Sequence, residues 1–334
     1  MNTYDYEDVM EEVNQVLAAA ATTGQVDEAP PAAQPKRLNE KAMTVQLRTS
    51  RPTTRFNDEE AAKAARSAVG DDGVGAYTKL FCDPSNPVRQ LLAEVGAVYQ
   101  YHKANTIPYI DRGPRLLPVS QYETYRDTMR TLVNDVDTKL RALAPDYDRY
   151  VLLDVAYRNA TAAATGKVGR ATPDDYPDSD SFTTSIGVTF SFAPLPDNSH
   201  WLFDVDDEDK AALDANAQDI YARALSDLRS RVETPLVKLI DVLRAKPGDK
   251  DDDGKRVGIF RDTKVTNVVD AVANVKALAM GDKGVLAACE MVETVMAPFK
   301  DNPDVLRQSP VVRETALAKL NDVASKMGAF FSAS

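Results

Sequence analysis

The chain has 334 residues, 43% of them hydrophobic, and a formal net charge of −11. That is enough apolar material for one large domain or two ordinary ones. No run of 18 or more apolar residues occurs, so no membrane-spanning helix is expected. The opening MNTYDYEDVMEEV lacks the basic and apolar pattern of a secretory leader. Cys82 and Cys289 lie far apart and read as inert thiols of a reducing compartment. The composition therefore predicts a soluble intracellular protein.

The charge is unevenly spread. Residues 1–35 carry seven acids and no Lys or Arg; residues 36–170 carry 21 Lys and Arg against 16 Asp and Glu; residues 171–334 carry 19 against 28. Asymmetry of this kind points to a polyanion partner or to self-association between unlike surfaces. Screening confines the repulsion of the acidic regions to about 8 Å, so a locally basic face still binds a polyanion.

In chain order, residues 4–20 predict a short helix with Val9, Val13, Val16 and Leu17 on one face. Residues 21–40, with Pro30, Pro31 and Pro35, predict a linker. Met43, Val45 and Leu47 alternate with polar residues, as do Phe182, Ile186, Val188, Phe190 and Phe192. These two segments are expected to pair as strands. Asn57, with Glu60 three residues on, predicts a cap for a helix over 58–69. Further helices are expected over 86–104, 121–143, 146–164, 206–245 (kinked at Pro235), 263–280, 283–299 and 310–330, with a solvated loop over 246–256. The fold class is mainly α with a small β element (α+β), long helices around a short antiparallel sheet. Residues 1–40 form an acidic helix and flexible linker. Residues 41–334 form one mainly helical domain, with a sub-boundary near 172–181.

Catalytic and metal signatures are missing from the sequence. His102 and His200 stand about a hundred residues apart, and no Cys/His cluster, P-loop or nucleophile elbow is present. GDDGVG at 70–75 lacks the strand and lysine of a phosphate loop. Asp249–Asp253 resembles half of a calcium loop, but the position needing Glu holds Phe260 or Asp262. The acids Asp204, Asp206, Asp207, Glu208 and Asp209 suit a helix start. The expectation is a non-enzymatic protein without metal or cofactor.

A basic, tyrosine-containing segment remains. Arg48, Arg51 and Arg55 leave the first strand into a proline-containing loop. Lys103, Arg112 and Arg115 fall around Tyr99, Tyr101, Tyr109, Tyr122 and Tyr125, and Lys167 and Arg170 follow. Single-stranded nucleic acid needs cations along its phosphates and flat rings on which splayed bases stack. Tyr99 lies on the apolar stripe of its helix and reads as core. The candidate nucleic-acid-binding set is therefore Arg48, Arg51, Arg55, Tyr101, Lys103, Tyr109, Arg112, Arg115, Lys167 and Arg170, converging on one side of the small sheet.

The fragments YHKANTIPYIDRGPRLLPVSQYETY (101–125) and FRDTKVTNVVDAVANVKALAMGD (260–282) resemble a family of bacteriophage proteins of about this size. Within that neighbourhood the chain is similar to the single-stranded-DNA-binding RNA polymerase cofactors of podoviruses. The resemblance implies a fold other than the OB barrel, single-stranded DNA and a phage RNA polymerase as partners, homo-oligomers, and the host cytoplasm as location. It defines no ligand motif that assigns binding residues one by one. The other reading is a structural or protein-interaction adaptor, such as a phage assembly component, without nucleic-acid binding.

Overall fold

The computed structural model describes residues 38–110, 113–195, 207–245 and 260–330. The helix and linker expected before residue 38, Arg112, His200, Asp204, Asp206 and the loop over 246–256 lie outside the described residues. The chain forms two compact units, each assembled from separate stretches.

Of the described residues, the helical unit comprises 38–45, 105–110, 113–122, 192–195, 207–245 and 260–330. A short helix, α1 (Leu38–Lys41), leads into β1 (Ala42–Ser50), whose first half belongs here. β1 runs antiparallel to β5 (Arg115–Pro118) from Ala42↔Pro118 to Val45↔Arg115, and β5 pairs with β4 (Ile107–Pro108). With β6 (Gly187–Pro194) the strand order is β4-β5-β1-β6, so the two strands expected from alternation are neighbours. Thr44 Oγ1 donates to the Ala193 carbonyl at 3.0 Å.

Among the described residues, five helices supply the rest of this unit: α7 (Asp207–Arg244), α8 (Thr263–Leu278), α9 (Lys283–Lys300), α10 (Val305–Gln308) and α11 (Pro310–Phe330). The stripe Leu225, Leu228, Val232, Leu236, Leu239 and Leu243 of α7 is buried against Val268, Val272 and Val275 of α8 and against Leu320 and Met327 of α11. Spacing of three and four residues puts each row on one face. α7 runs through Pro235 to Arg244. Its end is capped by Arg313, which donates at 2.7 Å to the carbonyls of Val242, Leu243 and Ala245; a cation suits the negative end of the helix dipole. Asp282 caps α9 through Val285 N at 2.9 Å and accepts from the buried Tyr221 hydroxyl at 2.5 Å. Burial pushes the Cys289 thiol up to about 12, so it stays protonated and packs as a small hydrophobe.

The aromatic unit comprises residues 46–104 and 123–191. A two-stranded hairpin of β2 (Arg55–Asn57) and β3 (Tyr77–Lys79) encloses α2 (Glu59–Val69). Asp58, one residue after the expected Asn57, caps α2, because Asn57 is taken into the hairpin opposite Tyr77. Then come α3 (Pro87–Ala104), α4 (Tyr122–Leu143), α5 (Tyr147–Ala164) and α6 (Ser179–Ser185). Phe182 lies on α6 and not on a strand. Asp178 caps that helix by accepting from Ser181 N, and the Thr183 and Thr184 hydroxyls return to carbonyls four residues back. The rings of Phe81, Tyr147 and Phe182 pack within 4.5–6.3 Å of one another, with Tyr176 5.2 Å from Phe81.

Candidate nucleic-acid interface

α3 decides the first group of side chains. Val88, Leu91, Val95, Val98 and His102 are buried on one face. His102 holds its place in that core by a 2.6 Å hydrogen bond between Nδ1 and the Tyr125 hydroxyl. Gly96, Tyr99, Gln100 and Lys103 recur at intervals of three and four residues and so share a different face. Tyr99 is 45% exposed, so the expectation that it belongs to the core is corrected. The buried stripe passes beside it, and its next slot is filled by His102.

Arg51 approaches this face. A Cβ built on Gly96 would stand 3.6 Å from its Nη1. Arg48 and Arg51 are exposed and make no hydrogen bond or ion pair among the described residues. The hairpin adds Arg55, whose guanidinium lies 4.9 Å above the ring of exposed Tyr77, and exposed Phe56. Arg51, Tyr99 and Lys103 thus combine cations with a flat ring on one helical face.

The remaining candidates are placed differently. Tyr101 is half-buried and stacks on Tyr125 at 5.8 Å and 25°. Tyr109 packs against the core of the helical unit. Arg115, on β5, donates from Nε to Thr106 Oγ1 at 2.7 Å and from Nη2 to the Thr106 carbonyl at 3.0 Å, and that carbonyl also accepts from Arg231 at 2.6 Å. At least two of its five donors therefore serve the fold. Lys167 and Arg170 line a cleft in the aromatic unit. Tyr109 and Arg115 lie in the helical unit and the other described candidates in the aromatic unit.

The basic excess of the sequence window does not survive at the level of the unit. Residues 46–104 and 123–191 together hold 16 Lys and Arg against 18 Asp and Glu. Many of these neutralise one another, as in Lys139 with Glu94 at 2.5 Å and Arg66 with Glu59 at 2.8 Å. Positive potential is local to cations left without a carboxylate. Phe56 and Tyr77 were not singled out in the sequence, and Tyr99 was read as core. For Tyr99, the period of the face it shares with Gly96 and Lys103 was the available signal.

No group of three or more His, Cys, Asp or Glu among the described residues is arranged to hold a metal, and no described helix is long and apolar enough to cross a membrane. Comparison with known proteins adds no relative: no family model, curated protein or solved structure matches the chain.

Proposed function

We propose that the protein binds single-stranded DNA through the aromatic unit, with Arg48, Arg51 and Lys103 meeting phosphates and Tyr99 stacking a base. The observation that carries this reading is Arg51 lying against the exposed Gly96–Tyr99–Lys103 face. Phosphate neutralisation there and base stacking are both indifferent to sequence. In the setting implied by the sequence resemblance, the bound strand is the melted template of a phage RNA polymerase, and this protein holds it open as a non-enzymatic cofactor.

The test is anisotropy with labelled single-stranded and duplex DNA across a salt series. Three neutralised phosphates give a log–log salt slope of about −2 for a single strand. Arg51→Glu weakens binding and flattens that slope, while the fold stays intact. Tight duplex preference, or no binding at low salt, overturns the reading.

A second reading, self-association as an interaction adaptor, is favoured by one observation. α5 is apolar on its outer side as well as its inner one: Leu152, Leu153 and Tyr157 are exposed at 57%, 49% and 40%. A helix that is apolar all round is normally covered. Sedimentation equilibrium checks it: concentration-dependent mass that disappears in Leu152→Ser/Leu153→Ser, with DNA binding absent throughout, supports the adaptor over the strand binder.

A further inference from the structure

The loop that follows α5 runs Thr165-Gly166-Lys167-Val168-Gly169-Arg170 and forms one wall of a cleft of about 280 Å³. The other walls include Asp58, Thr78, Arg158, Asn159 and Ala162. Two glycines make the loop possible. Gly166 has φ +72, a left-handed conformation that side chains disfavour. Gly169 comes so close to α5 that a Cβ would fall 2.2 Å from Asn159 Oδ1 and 2.6 Å from its Cα. Asn159 then fastens the loop from both sides: its Nδ2 donates to the Ala171 carbonyl and its Oδ1 accepts from Ala171 N, each at 3.0 Å.

The donors around this cleft exceed what the protein uses. The Lys167 side chain is exposed, and its ammonium makes no hydrogen bond or ion pair among the described residues. The backbone N–H groups of Val168, Gly169 and Arg170 donate to no protein group among the described residues. Arg158 is held by Asp175 at 3.3 Å and the Tyr176 hydroxyl at 3.1 Å, both through Nη1, leaving Nε and Nη2. Arg170 spends one N–H of each terminal nitrogen, on Glu60 at 2.6 Å and Asp58 at 3.1 Å.

Two features oppose an anion, and both are already engaged. Asp58 accepts from Ala61 N, Thr78 Oγ1 and Arg170. At the carboxyl end of α5, the Ala162 and Ala163 carbonyls accept from Thr165, Gly166 and Lys167 N–H groups. The cleft is at the small end of the range for ligand sites, about 300–1,000 Å³, which suits one phosphate with its sugar rather than a longer ligand. Consecutive backbone N–H groups with flanking cations are the chemistry that holds phosphate, and G-x-x-G loops clamp nucleic-acid backbones in unrelated folds.

We infer that the Gly166–Arg170 cleft binds the phosphate of a nucleotide, either free or at the 5′ end of a strand. The inference goes beyond the strand-binding face and does not require it. The experiment titrates the full-length protein with inorganic phosphate, AMP, and one oligonucleotide carrying either a 5′-phosphate or a 5′-hydroxyl, followed by calorimetry. Saturable binding of phosphate and AMP is expected, weakened about tenfold in Lys167→Ala, the scale of one charge-assisted hydrogen bond. Preference for the 5′-phosphorylated over the 5′-hydroxyl oligonucleotide identifies a strand end as the source; equal affinity for the two, with AMP bound, identifies a free nucleotide. Arg51→Glu separates the two claims, since it lowers oligonucleotide binding and leaves phosphate and AMP binding unchanged. Absence of saturable phosphate and AMP binding, or binding indifferent to Lys167→Ala, overturns the inference whatever the DNA result.

Discussion

Among the described residues, the large apolar side chains left at the surface of the helical unit are Ile110, Val119, Val237 and Val311, whereas the smaller aromatic unit exposes Phe56, Val69, Tyr77, Tyr99, Leu152, Leu153, Tyr157 and Val168. The interiors differ as well. The helical unit packs valine, leucine and alanine from five helices into one continuous core. The aromatic unit places rings at its centre, and the Tyr125 and Tyr176 hydroxyls bond buried His102 and Asp154. An aliphatic core with a sparse apolar surface describes a scaffold. A unit that exposes rings beside cations has the surface chemistry that the proposed strand binding requires.

The sharpest way to break that division of labour is to damage the scaffold. Leu239→Ala removes a side chain with no exposure in the helical core and costs about 2–5 kcal/mol. Hydrogen exchange should show α8 and α9 losing protection while the affinity of the remaining folded protein for single strands holds. Loss of affinity at full folding would place the binding surface in the wrong unit. Asp154→Ala is the counterpart in the aromatic unit. The carboxylate accepts from the Tyr176 hydroxyl at 2.6 Å and Asp83 N at 3.0 Å, and removing it leaves both donors short of a partner, at a cost of about 2 kcal/mol. Protection of α5 falls and that of α9 does not.

Two tyrosines two residues apart sharpen the comparison at lower amplitude. Tyr99→Ala should weaken single-strand binding by about 1–3 kcal/mol, the value of one stacked base, with the melting temperature unchanged. Tyr101→Ala should do the reverse, because Tyr101 stacks on Tyr125. Equal effects of the two on binding would remove the outward face of α3 from the argument.

The smallest effect is a pH dependence. The Asp58 carboxyl is held below its ordinary 3.8, chiefly by the Ala61 N–H and then by Thr78. Its folded-state pKa lies below the unfolded one, so its contribution is complete above that ordinary value and fades as pH falls through the lower, folded value. Asp58→Asn keeps a capping side chain and should flatten the acid limb of the melting curve of α2 followed by exchange; an unchanged limb would remove Asp58 from the acid response.

The helices were legible because each repeats its apolar residues at three and four: the stripes of α3 and α7 emerge in the structure as buried rows. Three features were not. The β2–β3 hairpin consists of three-residue strands; β2 is exposed throughout and β3 buries no residue, so no alternation marks either. β5, Arg-Leu-Leu-Pro, has its last three residues buried in succession, which erases the two-residue period. Phe182–Ser185 reads as the start of an alternating strand and is the end of a helix, in which the Thr183 and Thr184 hydroxyls bond carbonyls four residues back. At the candidate site, the residue types were legible and their engagement was not. Nothing in the letters distinguishes Arg115, committed to Thr106, from Arg51, which lies against a glycine.

The interleaving of the two units bears on how the molecule is made. The last residue of the aromatic unit is Ser191, so every segment it needs has been synthesised by then. The core of the helical unit draws on Leu320 and Met327, and at about 5–20 residues per second these follow on the order of ten seconds later. During that interval Ile107 and Leu116 wait without the helices they pack against. The ribosome thus releases the last segment of the aromatic unit well before the last segment of the helical one.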